Sequence, residues 1–284
     1  MEQFKTPPAA AVARRWQSMM WLDADRVFYV GLLGEPSVRN LGAWSIYLSL
    51  SASRPHCISL EPGRGAAGQE TTLSVVPPGV PHRIVSGERM ILSILIEAET
   101  IERDSLAPCF RGASGAVRSE EDESRLRAAL ERVQFGGGGV YGSTADFDRE
   151  FFGAALAPRA IDRRIRAALD GIKRDPNRHT SAEECALAAH LSVSRFLHLF
   201  KDEVGSSFRN FRSWQRARSV LYRVKQNDSL ANVALDVGYT DSTHFSHSVR
   251  QVFGLTPKSI FAGCRRLVLY GSGDAARPRC GLAA

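Results

Sequence analysis

No stretch of the 284 residues approaches the ~20 consecutive apolar positions that a membrane span requires. Met90 to Ile96 has only the length of a strand. The first residues, with Glu2 and the pair Arg14-Arg15, lack the apolar centre of a secretion signal, so a soluble, cytoplasmic chain without a membrane partner is expected. Cysteine is scarce. Cys57, Cys109, Cys185, Cys264 and Cys280 are odd in number and contain no Cys-x-x-Cys pair, which fits reduced, mostly buried thiols in a cytosol. Metal ligands are equally thin: His244 and His247, three apart on one helix, would supply half a site, but no carboxylate or cysteine stands at matching spacing. No catalytic set, metal or cofactor is assigned, and the chain is read as a non-enzyme. Negative charge is short in one part only: residues 159 to 268 carry 19 Lys and Arg against 10 Asp and Glu, whereas residues 1 to 158 carry 16 against 19. A basic module joined to a mildly acidic one is the balance expected when one part alone neutralises phosphates.

Within the basic part, one pattern occurs twice, 49 residues apart. Ser192 is followed by Phe196, His198, Phe200, Lys201, Val204, Gly205 and Ser207; Asp241 is followed by Phe245, His247, Val249, Arg250, Phe253, Gly254 and Thr256. Each copy opens on a short oxygen-bearing side chain able to cap a helix and closes on a glycine suited to the left-handed turn after one. Phe196, Leu199, Phe200 and Val204, like Phe245, Val249, Val252 and Phe253, fall on one helical face and leave a polar face opposite. Upstream, Cys185, Ala186 and Ala189, and then Val233, Ala234 and Val237, mark a shorter helix before a brief turn; Ala186 and Ala234 align at an offset of 48, so the second turn is one residue longer. A small residue there lets two helices cross closely, as a helix-turn-helix needs. From Ser207 to about Lys225 an uninterrupted amphipathic period predicts a linking helix of about 28 Å, near the ~34 Å between successive major-groove faces.

The segments Leu191-Ser-Val-Ser-Arg-Phe-Leu-His-Leu-Phe-Lys-Asp-Glu-Val-Gly205 and Val237-Gly-Tyr-Thr-Asp-Ser-Thr-His-Phe-Ser-His-Ser-Val-Arg-Gln-Val-Phe-Gly-Leu-Thr-Pro257 carry a resemblance to the AraC/XylS family of transcription regulators. It spans about 100 residues, from 161 to 268. Val249 stands where the family often has an aromatic, and Ser213 where an arginine is common. The resemblance implies a double helix-turn-helix that binds double-stranded operator DNA, with RNA polymerase and a second copy of the chain as further partners. On helical phase, Ser194, Arg195, His198, Ser242, Thr243, Ser246 and His247 are the candidates for base edges, and Lys201, Arg250, Arg209, Arg212 and Arg216 for phosphates.

The N-terminal part is built differently. Val27 to Leu33, Ala43 to Leu50, His56 to Leu60, Thr71 to Val76, His82 to Val85 and Met90 to Ile96 are short and rich in aliphatic and aromatic residues, divided by turn residues. They predict an antiparallel β barrel or jelly roll. Pro77-Pro-Gly-Val-Pro-His82 resembles the turn of cupins, the fold common as the sensing domain of this regulator family, although only His56 is available to complete a metal set. Tyr29, Trp44, Tyr47, His56, His82 and Arg83 are candidates to line a small-molecule site. Residues 120 to 134 return to helical spacing, with one apolar stripe that either packs on the barrel or pairs with a second subunit.

The expected fold class is therefore α+β in two domains: a cupin-like domain over residues 1–135 with trailing helices, a glycine-rich hinge over 136–160, an all-α double helix-turn-helix over 161–268 and a disordered tail over 269–284. The alternative is a cupin-type metalloenzyme with a nucleic-acid-binding module.

Overall fold

The computed structural model describes residues 16–34, 36–60, 67–88, 90–112, 115–136, 141–223, 230–239, 241–263 and 268–271. Gly137–Gly139 of the expected hinge, Val224 and Lys225 of the linking helix, and the tail beyond Gly271 lie outside them.

The strands are β1 (Met19–Leu22), β2 (Arg26–Leu32), β3 (Val38–Arg39), β4 (Ala43–Ser49), β5 (His56–Leu60), β6 (Gln69–Thr71), β7 (Leu73–Val76), β8 (His82–Ser86), β9 (Met90–Glu97), β10 (Gly115–Val117) and β11 (Val268–Gly271). They form two sheets, in the orders β10-β7-β4-β9-β2-β1-β11 and β3-β8-β5-β6. Every pairing is antiparallel except that of β11 with β1. Residues 269–271, expected in the tail, thus close the edge of the larger sheet by backbone pairing.

Strand alternation explains why this sheet reads as nearly continuous apolar sequence: both of its faces are covered. On β4, Trp44, Ile46 and Leu48 point to one face, where they join Phe28, Val30, Leu92 and Ile94. That face is covered by α2 (Glu120–Phe135) through Leu126, Ala129, Leu130 and Val133, and by α3 (Thr144–Phe152) through Phe147 and Phe151. The stripe of residues 120 to 134 therefore packs on the sheet of its own chain. Acidic residues in its first turn and the Ser119 cap fix the start of α2. The α3 helix ends at Gly153, in the left-handed conformation, and its Asp148 receives a two-pronged hydrogen bond from the buried Arg26 guanidinium, 2.9 Å on each prong. At one end of the other face, Tyr47, Val76 and Ile91 meet Ile58 and Ile84 of the smaller sheet.

The remaining end of that face is covered by the C-terminal helices. These follow α1 (Pro108–Arg111), α2 and α3 in order as α4 (Arg163–Arg174), α5 (Ala182–Ala188), α6 (Val193–Val204), α7 (Phe208–Leu221), α8 (Leu230–Asp236), α9 (Ser242–Phe253) and α10 (Pro257–Gly263). Helix α7 connects two cores. Its Phe208 and Phe211 pack with Ile165, Leu169, Phe196 and Phe200, while its Trp214, Ala217, Val220 and Leu221 pack with Val233, Phe245 and Val249, and with Met20, Leu22, Val27 and Leu95 of the sheet. The helix ends at Leu221, short of the expected Lys225, where Arg218 and Tyr222 donate to the Asp23 carbonyl. Its 14 residues span about 21 Å rather than 28 Å.

Candidate nucleic-acid interface

Two helix-turn-helix units stand in the C-terminal region, and their local geometry repeats with the sequence. Helices α6 and α9 each have 12 residues. The Ser192 hydroxyl accepts from the Arg195 amide and the Asp241 carboxylate from the His244 amide; Gly205 and Gly254 close the helices at φ 77° and 71°. In both turns the chain passes through the left-handed region, at His190 (φ 54°) and at Gly238 (φ 75°), 48 residues later. The turns are locked alike, by Leu191 N–H to the Ala186 carbonyl and Tyr239 N–H to the Ala234 carbonyl, 2.9 Å each.

The faces separate as the periodicity predicts. Phe196, Phe200 and Val204 of α6 and Phe245, Val249 and Val252 of α9 are buried. Ser194, Arg195, His198 and Lys201 are exposed along α6; Ser242, Thr243, Ser246, His247 and Arg250 are exposed along α9. Arg250 borders a recess that it shares with Leu32, Ser86 and Glu88 of the N-terminal part. The last turn of α9 lies against that part: the Asn40 amide donates to the Gln251 carbonyl at 3.1 Å. Val249, where an aromatic is common in the family, is fully buried, so an aliphatic side chain fills that place.

The linker arginines divide. Arg209 is exposed, whereas Arg212 and Arg216 are half-buried, with guanidinium carbons 5.7 Å from the Phe208 ring centre and 5.5 Å from that of Tyr239. Burial and the neighbouring Arg216 charge lower the pKa of Arg212. Stacking of this kind fixes the planar cation and leaves its edges for other partners.

One group of residues escaped sequence reasoning: the joint between the two parts. Glu97, at the end of β9, is buried and accepts from Trp214 Nε1 and Gln215 Nε2 at 2.8 Å each, with Arg218 Nε 3.2 Å away. Its neighbour Glu99 is also buried and stands 2.6 Å from Lys173 Nζ, which lies 3.4 Å from Asp25. Burial, reinforced by the Glu99 charge, pushes the Glu97 carboxyl up to about 7. Nothing local in the sequence pointed to this joint: Glu97 closes an apolar strand, Glu99 follows it, and their partners lie about 75 to 120 positions away.

The expected small-molecule residues separate according to strand alternation. Tyr29 and Tyr47 line a mostly apolar cavity of about 70 Å³ between the sheet and the last turns of α9 and α10, beside Arg39, Leu255 and Ile260. Trp44 points to the opposite face of its strand, into the core under α2 and α3. Arg83 is exposed. His56 is buried between the hydroxyls of Ser49 and Ser74, at 2.9 and 2.8 Å; His82 is held by the Tyr47 hydroxyl and the Val80 carbonyl, at 2.9 Å each. Burial lowers both imidazoles to about 4, and both ring nitrogens of each are occupied by protein groups. Among the described residues no three His, Cys, Asp or Glu groups are placed to share a metal ion. Arg39 was missed. It is buried, donates to the Leu33 carbonyl, leaves Nε unpaired, and packs against Gly254, where a Cβ would collide with its guanidinium.

Residues 185–262 match the family described as helix-turn-helix domain. Over 97 residues the chain is 30% identical to an uncharacterized HTH-type transcriptional regulator of Haemophilus influenzae, covering 34% of this chain and 33% of that one. Over 111 residues it is 31% identical to the arabinose operon regulatory protein of Escherichia coli, covering 38% of each. The chain thus spans little more than a third of the curated relatives it matches. The apo structure of ToxT K231A from Vibrio cholerae superposes with a TM-score of 0.54 at 10% identity, covering 84% of this chain and 97% of that one. A ToxT structure bound to (E)-4-(8-methylnaphthalen-1-yl)but-3-enoic acid gives 0.52 at 11% identity, covering 84% and 98%. The fold and the paired helices define an α+β protein with a double helix-turn-helix in its C-terminal region, and residues 185–262 of that region belong to the family described as helix-turn-helix domain.

Proposed function

We propose that the chain is a sequence-specific DNA-binding transcription regulator of the AraC/XylS type. The observation that carries this is the repeated presentation of a polar helical face: α6 and α9 are equal in length, capped alike and buried on their apolar sides. Ser194, Arg195 and His198 on one helix, and Ser242, Thr243, Ser246 and His247 on the other, take base edges in neighbouring major-groove segments. Lys201, Arg250, Arg209, Arg212 and Arg216 take phosphates and set the register. The division at about residues 135 and 160 makes the N-terminal part the regulatory domain, and dimerisation and contact with RNA polymerase belong to the same reading.

The cavity against α9 and α10 is the effector site in this proposal. Its apolar lining suits a carbon skeleton, and Arg39, a buried cation with an unpaired Nε, suits an acidic group. At about 70 Å³ it holds only a compact molecule as it stands. A larger one displaces Leu255 or Ile260, next to the end of α9, and so couples binding to the pose of that helix.

The test is a titration of the purified protein against retained genomic fragments over a range of salt. Specific binding with a steep salt slope is expected, and replacing a phosphate-binding residue such as Lys201 by alanine lowers that slope by about 1. Equal affinity for retained and scrambled fragments overturns the reading.

A further inference from the structure

The helix-turn-helix match ends at residue 262 and α10 at Gly263, yet the chain goes on to form β11, back on the sheet of the N-terminal part. Met19, Met20, Trp21 and Leu22 of β1 pair with Val268, Leu269, Tyr270 and Gly271 in parallel register. The double helix-turn-helix is therefore held at both ends. It leaves the N-terminal part after α3 and is returned to it by a strand only four residues beyond α10.

Two properties mark this strand as releasable. It is four residues long, so few hydrogen bonds hold it. Its ladder is the one parallel pairing among the described strands, a geometry slightly weaker per residue than the antiparallel one. The strand it covers has every reason to keep it: all four side chains of β1 are buried, so an uncovered β1 is a flat apolar edge with unpaired backbone groups.

We propose that β11 is an intramolecular strap that holds the second helix-turn-helix unit in the pose seen here, and that its release from β1 frees α9 to reach the operator. The consequence for DNA rests on the function proposed above. A separation of α10 from the sheet greater than about 18 Å, the most that the five links from Gly263 to Val268 can span, requires β11 to leave β1.

A reversible lock tests it. Met20 and Leu269 are register partners, so the double variant Met20→Cys, Leu269→Cys, made in the full chain, joins the strap to the sheet on oxidation. The oxidised monomer is expected to bind the operator at least about fivefold more weakly than the reduced one, with thiol restoring affinity. A chain ended after Leu267 is expected to bind at least as tightly as the reduced form, and to lose amide protection in β1 but not in α6. Amide exchange of the full chain needs no variant: slow exchange in β1 is expected. Fast β1 exchange, or a cross-link found only between two copies, overturns the intramolecular strap. Equal operator affinity of oxidised and reduced monomer overturns the restraint on α9. If no chain binds operator DNA, the function proposed above fails, while exchange and cross-linking still decide whether the strap exists.

Discussion

The two helix-turn-helix units share a sequence pattern and differ in what they are built on. The first has a core of its own: Ile165, Leu169, Ile172, Phe196, Phe200, Val204, Phe208 and Phe211 all come from α4 to α7. The second shares its core with the N-terminal sheet, where Phe245, Val249 and Val252 join Met20, Leu22, Val27, Leu41 and Leu95 through Trp214 and Leu221. The cavity beside Arg39 also borders α9 and not α6. A duplicated motif has thus been divided into one self-contained unit and one whose position is set by the rest of the molecule. In physical terms, a change in the sheet reaches α9 through a shared apolar core, while the first unit meets the N-terminal part through polar contacts such as Lys173 with Glu99 and Asp25.

The largest test of this difference removes a buried ring from each core. Phe200→Ala and Phe245→Ala are each expected to cost about 3 to 5 kcal/mol, since both rings are fully buried. Hydrogen exchange should separate them: faster exchange confined to α4–α6 in the first, and spreading into β1 and β2 in the second. Equal confinement in both variants would erase the distinction.

Next in size is the joint at Glu97. In the docked state its carboxyl is raised to about 7, above the ordinary carboxylate value, so docking is fully supported at low pH and weakens as pH rises through 7. Glu99, Lys173, Arg218, Trp214 and Gln215 face this group, and Arg218 and Lys173 oppose the shift without reversing it. At about 1.4 kcal/mol per unit of pKa, the loss between pH 5 and pH 8 is at most about 3 kcal/mol. Proteolysis of the segment between the two parts, followed against pH, should accelerate across this range, and Glu97→Gln should flatten the profile. A profile that is flat in the parent protein contradicts the assignment.

The smallest effect lies in the turns. His190 occupies the left-handed conformation where the second unit has Gly238, so His190→Gly is expected to stabilise the first unit by about 1 kcal/mol. Gly238→Ala is expected to destabilise the second by more, since the new Cβ would also stand 2.8 Å from the Asn177 carbonyl oxygen. Thermal melts of the two variants give the opposite signs directly.

These differences were only partly legible in the sequence. Helices α6 and α9 were readable to the residue because caps, apolar period and closing glycines are local signals, and the 49-residue spacing reported them twice. Five of the six expected strands appeared because apolar runs between turn residues are local signals too, whereas Thr71 to Val76 is divided between β6 of the smaller sheet and β7 of the larger. By contrast, β1 is buried on both faces and shows no alternation, and β3 has two residues; nothing local marks either as a strand. Tyr29 and Tyr47 reach the cavity while Trp44 does not, because alternation sends neighbours to opposite faces and register is decided by partner strands. The Glu97 joint, Arg39 and β11 depend on residues far apart in the chain and leave no periodic trace. Lys225 was expected to end α7 because the helical period continues past Leu221, where the helix ends beside the hydrogen bonds from Arg218 and Tyr222 to the Asp23 carbonyl.

Footprinting of the operator with the parent protein and with Arg195→Ala and His247→Ala addresses most directly whether α6 and α9 both read DNA. Two protected segments about one helical turn apart are expected, with Arg195→Ala weakening one and His247→Ala the other, each by about 1 to 3 kcal/mol. A single protected segment, or two segments that neither variant alters, would contradict it.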